Sequence, residues 1–212
     1  HIIMWKLLFA VSLLMSFYSC NRKELSFTIS GNITDATFSQ DLSEGSLELY
    51  IYGVGSSFPK LLEETSPDSE GKYSFEVDRE KAEKFEIRYE GGNRYFSKQV
   101  TIPFSDLEVN EENMYEISTT AKSWARFVIK NQSNPESDDE FKFLKQGGKT
   151  DCDECCDDGY SYYYGAVDTV VLCINDGNTY LPFYYWINGT EEVGQFDLYT
   201  KAFDTTSYEF LY

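Results

Sequence analysis

The residues best suited to chemistry lie between Thr150 and Tyr160, where cysteines alternate with acidic residues. Cys152, Cys155 and Cys156 fall in this segment, and Cys173 follows on the next predicted strand. Thiolates bind zinc or exchange electrons. The surrounding acidic residues disfavour a thiolate, which is the opposite of an activated Cys-x-x-Cys motif. Two adjacent cysteines are also poor partners in one tetrahedral zinc site.

Disulfides explain these four cysteines better, because an even number in an exported chain is typical of structural cross-links. A bridge between the neighbours Cys155 and Cys156 would strain the peptide that joins them. We therefore expect Cys173 to pair with Cys156 or Cys155, and Cys152 to pair with the remaining cysteine. Either arrangement ties the acidic loop to the sheet.

The carboxylates of the same loop suggest a second type of site. Asp151, Asp153, Asp157 and Asp158 precede Gly159 and supply the hard oxygen ligands that Ca²⁺ prefers. Their spacing differs from that of an EF-hand loop, and an acidic loop is also explained by solvation alone. Ca²⁺ is the cofactor that we consider; no other cofactor is indicated.

Aromatic residues form the second candidate cluster, in the segments 160–164 and 183–186. Successive side chains of a strand point to opposite faces, so some of these rings must lie outside the core or in an interface. Exposed Tyr and Trp are typical of surfaces that bind proteins or sugars. The alternative is packing in the core and at the sheet edge. The candidate contact residues are Tyr162, Tyr164, Tyr184 and Trp186.

Charge and histidine content exclude several functions. The chain carries 36 Asp and Glu against 18 Lys and Arg, a formal charge of −18, which disfavours nucleic acid as a partner. The only histidine is His1. A chain processed after residue 19 would lose it, and would then lack Ser-His-Asp, Cys-His and His–zinc chemistry. We therefore predict a protein that is not an enzyme.

The N-terminal segment has the layout of a signal peptide. Met4-Trp5-Lys6 forms a short charged region, Leu7–Met15 is apolar, and Ser19-Cys20 follows. The alternative is an uncleaved membrane anchor, for which Ile2–Tyr18 is at the short limit. Ser19-Cys20 at this place resembles the lipobox of Bacteroidetes-type outer-membrane lipoproteins. The resemblance implies lipidation at Cys20 and anchoring in the outer membrane of the cell envelope, facing either the periplasm or the surface.

Beyond the leader, alternating hydrophobicity and turn residues predict an all-β chain. Only Arg79–Lys84 suggests a helical turn. The apolar run Val167–Ile174 is predicted to be a central strand. We predict a signal peptide at 1–19, a lipidated tether at 20–25, and two packed β-sandwich units at 26–120 and 121–212. One larger fused sandwich is the alternative.

A further resemblance concerns residues 26–120. The pattern Asp68-x-x-Gly71-x-Tyr73-x-Phe75-x-Val77 follows the segment Ile29–Ile33 and a strand at Leu47–Tyr52. It resembles the transthyretin-like or carboxypeptidase-regulatory-like β-sandwich, which has an Ig-like architecture. The resemblance implies a non-catalytic accessory or binding domain and carries over no catalytic residue.

These observations favour a cell-envelope lipoprotein that acts as a binding or structural accessory module, with an envelope protein or a glycan as partner. One alternative is a glycan-binding surface lipoprotein of a polysaccharide-uptake system. Another is a carboxylate-dependent glycoside hydrolase, which needs two specific acids in a cleft. The many acidic residues single out no such pair.

Overall fold

The computed structural model describes residues 25–132, 134–150, 152–189 and 192–212. In these ranges the backbone forms β-strands and one 3-10 turn, Phe104–Asp106, but no α-helix. None of these residues belongs to a helix of the length and apolar character needed to cross a membrane. The all-β prediction is confirmed. The strands are β1 (Ser26–Asp35), β2 (Gln40–Asp41), β3 (Ser46–Gly53), β4 (Lys60–Thr65), β5 (Lys72–Asp78), β6 (Ala82–Glu90), β7 (Lys98–Pro103), β8 (Glu112–Met114), β9 (Ile117–Thr119), β10 (Lys122–Lys130), β11 (Glu140–Lys145), β12 (Tyr160–Tyr164), β13 (Asp168–Asp176), β14 (Thr179–Ile187), β15 (Glu192–Thr200) and β16 (Thr205–Leu211).

The first sandwich is built from two facing sheets. One has the order β2-β1-β5, with β8 and β9 added parallel to β1, and the other has the order β4-β3-β6-β7. Alternate residues of each sheet point inward and meet in one core, which includes Phe27 and Phe75 on one side and Leu49 and Ile87 on the other. All four side chains are almost completely buried. The burial of every second side chain between the two sheets therefore holds them face to face.

The second sandwich pairs the sheet β13-β10-β16 with the sheet β12-β11-β14-β15. Its core is strongly aromatic and is centred on Phe127 of β10, Phe141 of β11 and Phe183 of β14. Ala202, from the loop before β16, packs instead in the first core. The division into domains at residue 121 therefore stays a prediction.

The turn before β5 explains the sequence pattern around Asp68. The Asp68 carboxylate accepts hydrogen bonds from the backbone N–H of Glu70 at 2.8 Å and of Lys72 at 2.9 Å. These hydrogen bonds lower the pKa of Asp68 below its usual value. Gly71 has a φ of +76°, and a Cβ there would lie 2.7 Å from the Ile33 carbonyl oxygen. The turn therefore requires both the carboxylate and the glycine.

Two local predictions are wrong. Arg79–Lys84 contains no helical turn, because β6 begins at Ala82 and pairs there with β3. A segment this short gains more from the ladder than from an isolated helical turn.

The second wrong prediction is the central position of the strand at Val167–Ile174. In the structure this segment belongs mainly to β13, which lies at the edge of its sheet, with β10 in the centre. Val170 and Leu172 are 49% and 59% exposed. Because apolar residues also occupy the outer face of this edge strand, the run Val167–Ile174 is continuously hydrophobic. Such a run is typical of a strand that is buried on both faces.

Candidate functional site

The outward face of the sheet β12-β11-β14 carries a cluster of aromatic side chains. Alternation along β12 places Tyr160, Tyr162 and Tyr164 on this face, where they are 51%, 49% and 60% exposed. The ladder pairs Lys142 of β11 with Tyr162 on one side and with Trp186 on the other. We call the set Tyr160, Tyr162, Tyr164, Tyr184, Trp186 and Lys142 the aromatic face.

The intervening aromatic residues point the other way. Tyr163, Phe183 and Tyr185 pack on or within the second core. The ring of Tyr163 stacks on that of Phe143 with centroids 6.2 Å apart, and burial raises the pKa of Tyr163. The two aromatic segments are therefore divided between the core and the surface, as strand geometry requires.

The rings of the aromatic face contact one another in a continuous series. Centroid distances are 6.3 Å between Tyr164 and Tyr162 and 6.0 Å between Tyr162 and Tyr160. The series continues from Tyr160 to Trp186 at 5.7 Å and from Trp186 to Tyr184 at 6.2 Å. Neighbouring rings at these distances restrict one another, so the surface is largely preorganised.

Lys142 supplies a positive charge in the middle of the rings. Its ammonium nitrogen lies 4.9 Å from the ring centroid of Trp186, 5.4 Å from Tyr160 and 5.9 Å from Tyr162. Among the described residues no carboxylate lies within 4.0 Å of it. Cation–π contacts hold the ammonium in place and leave its N–H donors available to a ligand.

Tyr164 ends the series beside an acidic residue. The pKa of Tyr164 is raised by desolvation, and further by a hydrogen bond to Glu140 and by the negative charge of that residue. Its hydroxyl is therefore protonated at neutral pH and retains its hydrogen-bonding capacity.

The cysteine loop lies beside the edge of β13 and contains two disulfides. Cys152 is bonded to Cys155, and Cys156 to Cys173, so the predicted cross-linking is confirmed. The backbone N–H of Ile174 donates to the Glu154 carbonyl at 2.9 Å. The loop thus covers the C-terminal part of an edge that would otherwise be open to pairing.

The acidic residues of this loop do not form a metal centre in the part of the chain that the structure describes. No group of three or more His, Cys, Asp or Glu side chains is arranged there to hold a metal ion. Asp158 forms an ion pair with the buried ammonium of Lys145 at 2.5 Å. Asp151 lies outside the described residues, as does the predicted lipidation site Cys20. Calcium binding by Asp151, Asp153, Asp157 and Asp158 stays a prediction.

No protein-family model matches the chain, and no characterised protein matches it in sequence. Several solved structures are similar to it. With the TIE protein of Bacillus anthracis the identity is 13% and the TM-score 0.40, over 88% of this chain and 34% of that protein. The chain thus spans about a third of that protein's length. With the shaft pilin of Lactobacillus rhamnosus GG the identity is 8% and the TM-score 0.34, over 89% of this chain and 97% of the pilin.

A C-terminally truncated tip fimbrial protein from Porphyromonas gingivalis is similar at 10% identity and a TM-score of 0.35, over 82% of this chain and 81% of that protein.

The structure brings the four predicted contact residues, Tyr162, Tyr164, Tyr184 and Trp186, onto one face. Sequence reasoning placed Tyr160 in the aromatic cluster but not among the contact residues, and it missed Lys142 altogether. The position of Tyr160 two residues before Tyr162 was a usable signal, because both must point the same way. Lys142 carried no signal, since its position follows from the pairing of β11 with both neighbours.

Proposed function

We propose that this chain is a non-catalytic binding module of the bacterial cell envelope, and that it binds a carbohydrate on the aromatic face. The observation that carries the proposal is the series of mutually contacting, solvent-facing rings around Lys142, whose ammonium has no carboxylate within 4.0 Å among the described residues. Solvent-facing sides of antiparallel sheets are normally polar, so an aromatic surface of this kind is typical of a binding site.

Carbohydrates suit the chemistry of this surface. A sugar ring has apolar C–H faces, which pack on aromatic rings, and a rim of hydroxyls, which exchange hydrogen bonds with tyrosine hydroxyls and with Lys142. Because the rings form a continuous series, one elongated ligand can contact several of them at once. A neutral glycan also avoids repulsion from the net negative charge of the chain.

The proposal is tested with Trp186 as reporter. The chain contains three tryptophans, Trp5, Trp124 and Trp186. In the Trp5→Phe/Trp124→Phe background, the emission of Trp186 is recorded during titration with neutral hexasaccharides of glucose, mannose and xylose. We expect a saturable change with at least one of them. Tyr162→Ala and Lys142→Met should each lower the affinity by about tenfold or more, which corresponds to about 1.4 kcal/mol, because both lie in the middle of the proposed surface, where the few residues that dominate binding cluster.

Phe58→Ala is the matched control, because Phe58 is an 84% exposed ring on the first sandwich. It should leave the titration unchanged. Failure of all three oligosaccharides to alter the emission, or full affinity in Tyr162→Ala, would show that the aromatic face does not bind glycans.

The envelope location rests on the N-terminal layout. We propose that acyl chains on Cys20 anchor the module in the outer membrane, with 20–25 as the lipidated tether; several acyl chains give durable binding. Mass spectrometry of the protein purified from membranes should show a diacylglycerol-modified Cys20 at the new N-terminus. Cys20→Ser should release the protein into the soluble fraction. An unmodified chain that retains residues 1–19 would exclude this anchor.

A further inference from the structure

A cavity of about 610 Å³ lies where the two sandwiches meet, away from the residues of the aromatic face. The first sandwich contributes Phe96 and Lys98 to its wall, and the second contributes Lys122, Lys149, Glu154 and Asp176. This volume is in the range of sites that hold small organic ligands and is much larger than a single ion requires.

The charge of the cavity wall differs in sign from that of the chain. Acidic residues outnumber basic ones two to one over the whole sequence, yet the described residues that line this cavity include three lysines and two carboxylates. The Asp176 carboxylate already has two partners. It forms an ion pair with Lys149 at 3.1 Å and accepts a short hydrogen bond from the Thr120 hydroxyl. Lys98 and Lys122 have no carboxylate within 4.0 Å among the described residues. Among the described lining residues, Glu154 is the carboxylate with no ion pair within 4.0 Å, against the two ammonium groups of Lys98 and Lys122.

Two lysines of the cavity, Lys122 and Lys149, are held in place. The ammonium of Lys149 lies 4.2 Å from the ring centroid of Phe96, and that of Lys122 lies 5.7 Å from it. Lys122 also donates to the Gly92 carbonyl at 3.0 Å. Cation–π contacts to a nearly buried ring therefore fix two ammonium groups beside one apolar surface.

The backbone that carries Lys149 is anchored in the core. Its N–H donates to the side-chain oxygen of fully buried Asn175 at 2.8 Å. The preceding residue, Gly148, has a φ of +93°, and a Cβ there would lie 2.7 Å from the same Asn175 oxygen. The wall also contains Cys152, which the bond to Cys155 restrains. The cavity is therefore preorganised.

We propose that this cavity binds a small organic acid of about monosaccharide size, with its carboxylate between Lys98 and Lys122 and its apolar side against Phe96. Screening at physiological ionic strength limits the field of distant charges to about 8 Å. The local ammonium groups therefore outweigh the distant acidic surface. The site is independent of the proposed glycan-binding face.

The test uses the full chain labelled with ¹⁵N and titrated with D-glucuronate, with D-glucose as the neutral analogue and with sodium sulfate as the bare anion. We expect glucuronate to shift the amide resonances of Ser97, Lys149 and Thr150 in a saturable manner. Glucose should bind at least tenfold more weakly, as measured by the same amide resonances. Lys98→Gln/Lys122→Gln should weaken glucuronate binding at least tenfold.

Lys60→Gln/Lys201→Gln is the matched control, because it removes the same two charges from lysines that are 67% and 69% exposed elsewhere on the chain. It should retain the affinity for glucuronate. Three results would overturn the proposal: no shift at 50 mM glucuronate, equal binding of glucose, or equal weakening by the control pair. Sulfate binding as tight as that of glucuronate would overturn the role of Phe96 and reduce the cavity to a general anion site.

Discussion

Phe127→Ala is expected to lower the free energy of unfolding of the second sandwich by about 3–5 kcal/mol, the range for truncating a fully buried phenylalanine. Phe127 lies in the middle of β10 and is fully buried. Its ring centroid is 4.8 Å from that of Phe183, 5.8 Å from Phe143 and 6.2 Å from Phe210. These rings come from both sheets, so alanine leaves a cavity that movement of one strand cannot close.

Urea unfolding followed by tryptophan fluorescence measures this loss. In a Trp5→Phe background the reporters are Trp124 on β10 and Trp186 on β14, both in the second sandwich. Phe58→Ala removes an exposed ring and should change the unfolding free energy by less than about 0.5 kcal/mol. A loss below about 1 kcal/mol for Phe127→Ala would mean that this core is not close-packed.

Cys156→Ala/Cys173→Ala is expected to cost about 3 kcal/mol, because the bond restricts the unfolded chain over a sequence separation of 17 residues. Both cysteines are also part of the second hydrophobic core. The variant should unfold at lower urea concentration than the parent protein under oxidising conditions.

Cys152→Ala/Cys155→Ala is the control, because this bond has a sequence separation of only 3. Its removal restricts the unfolded chain less and should cost clearly less stability. Equal losses from the two pairs would contradict the loop-length argument. No loss from the Cys156–Cys173 pair would show that the loop contributes nothing to the sandwich.

The sequence predicted the parts of this fold that depend on local alternation. Tyr162 and Tyr163 had to face opposite sides of a strand, and this division is the basis of the aromatic face. The position of β13 was not predictable in the same way, because the apolar run at Val170 has the same composition whether the strand is central or at an edge. Only the number of strands that pair with it decides the matter.

The lysine cavity was also not predictable from the sequence, because its residues are far apart along the chain. Lys98, Lys122 and Lys149 are more than twenty residues apart along the chain and share no motif. They meet because β10 leads out of the first sandwich while the turn after β11 brings Lys149 back beside Asn175. Predicting that meeting requires the packing of the two sandwiches, which hydrophobic periodicity does not encode.

The alignment of β12 is set from outside the strand. Because rings occur on both of its sides, sliding Tyr160–Tyr164 by one residue along β11 would exchange outward tyrosines for inward ones at little hydrophobic cost. The covalent link from Cys156 to β13 precedes the strand by four residues, and the Gly165 N–H donates to the Asp139 carbonyl at 2.8 Å just after it. These two fixed ends favour the observed register, in which Tyr160, Tyr162 and Tyr164 are presented to solvent.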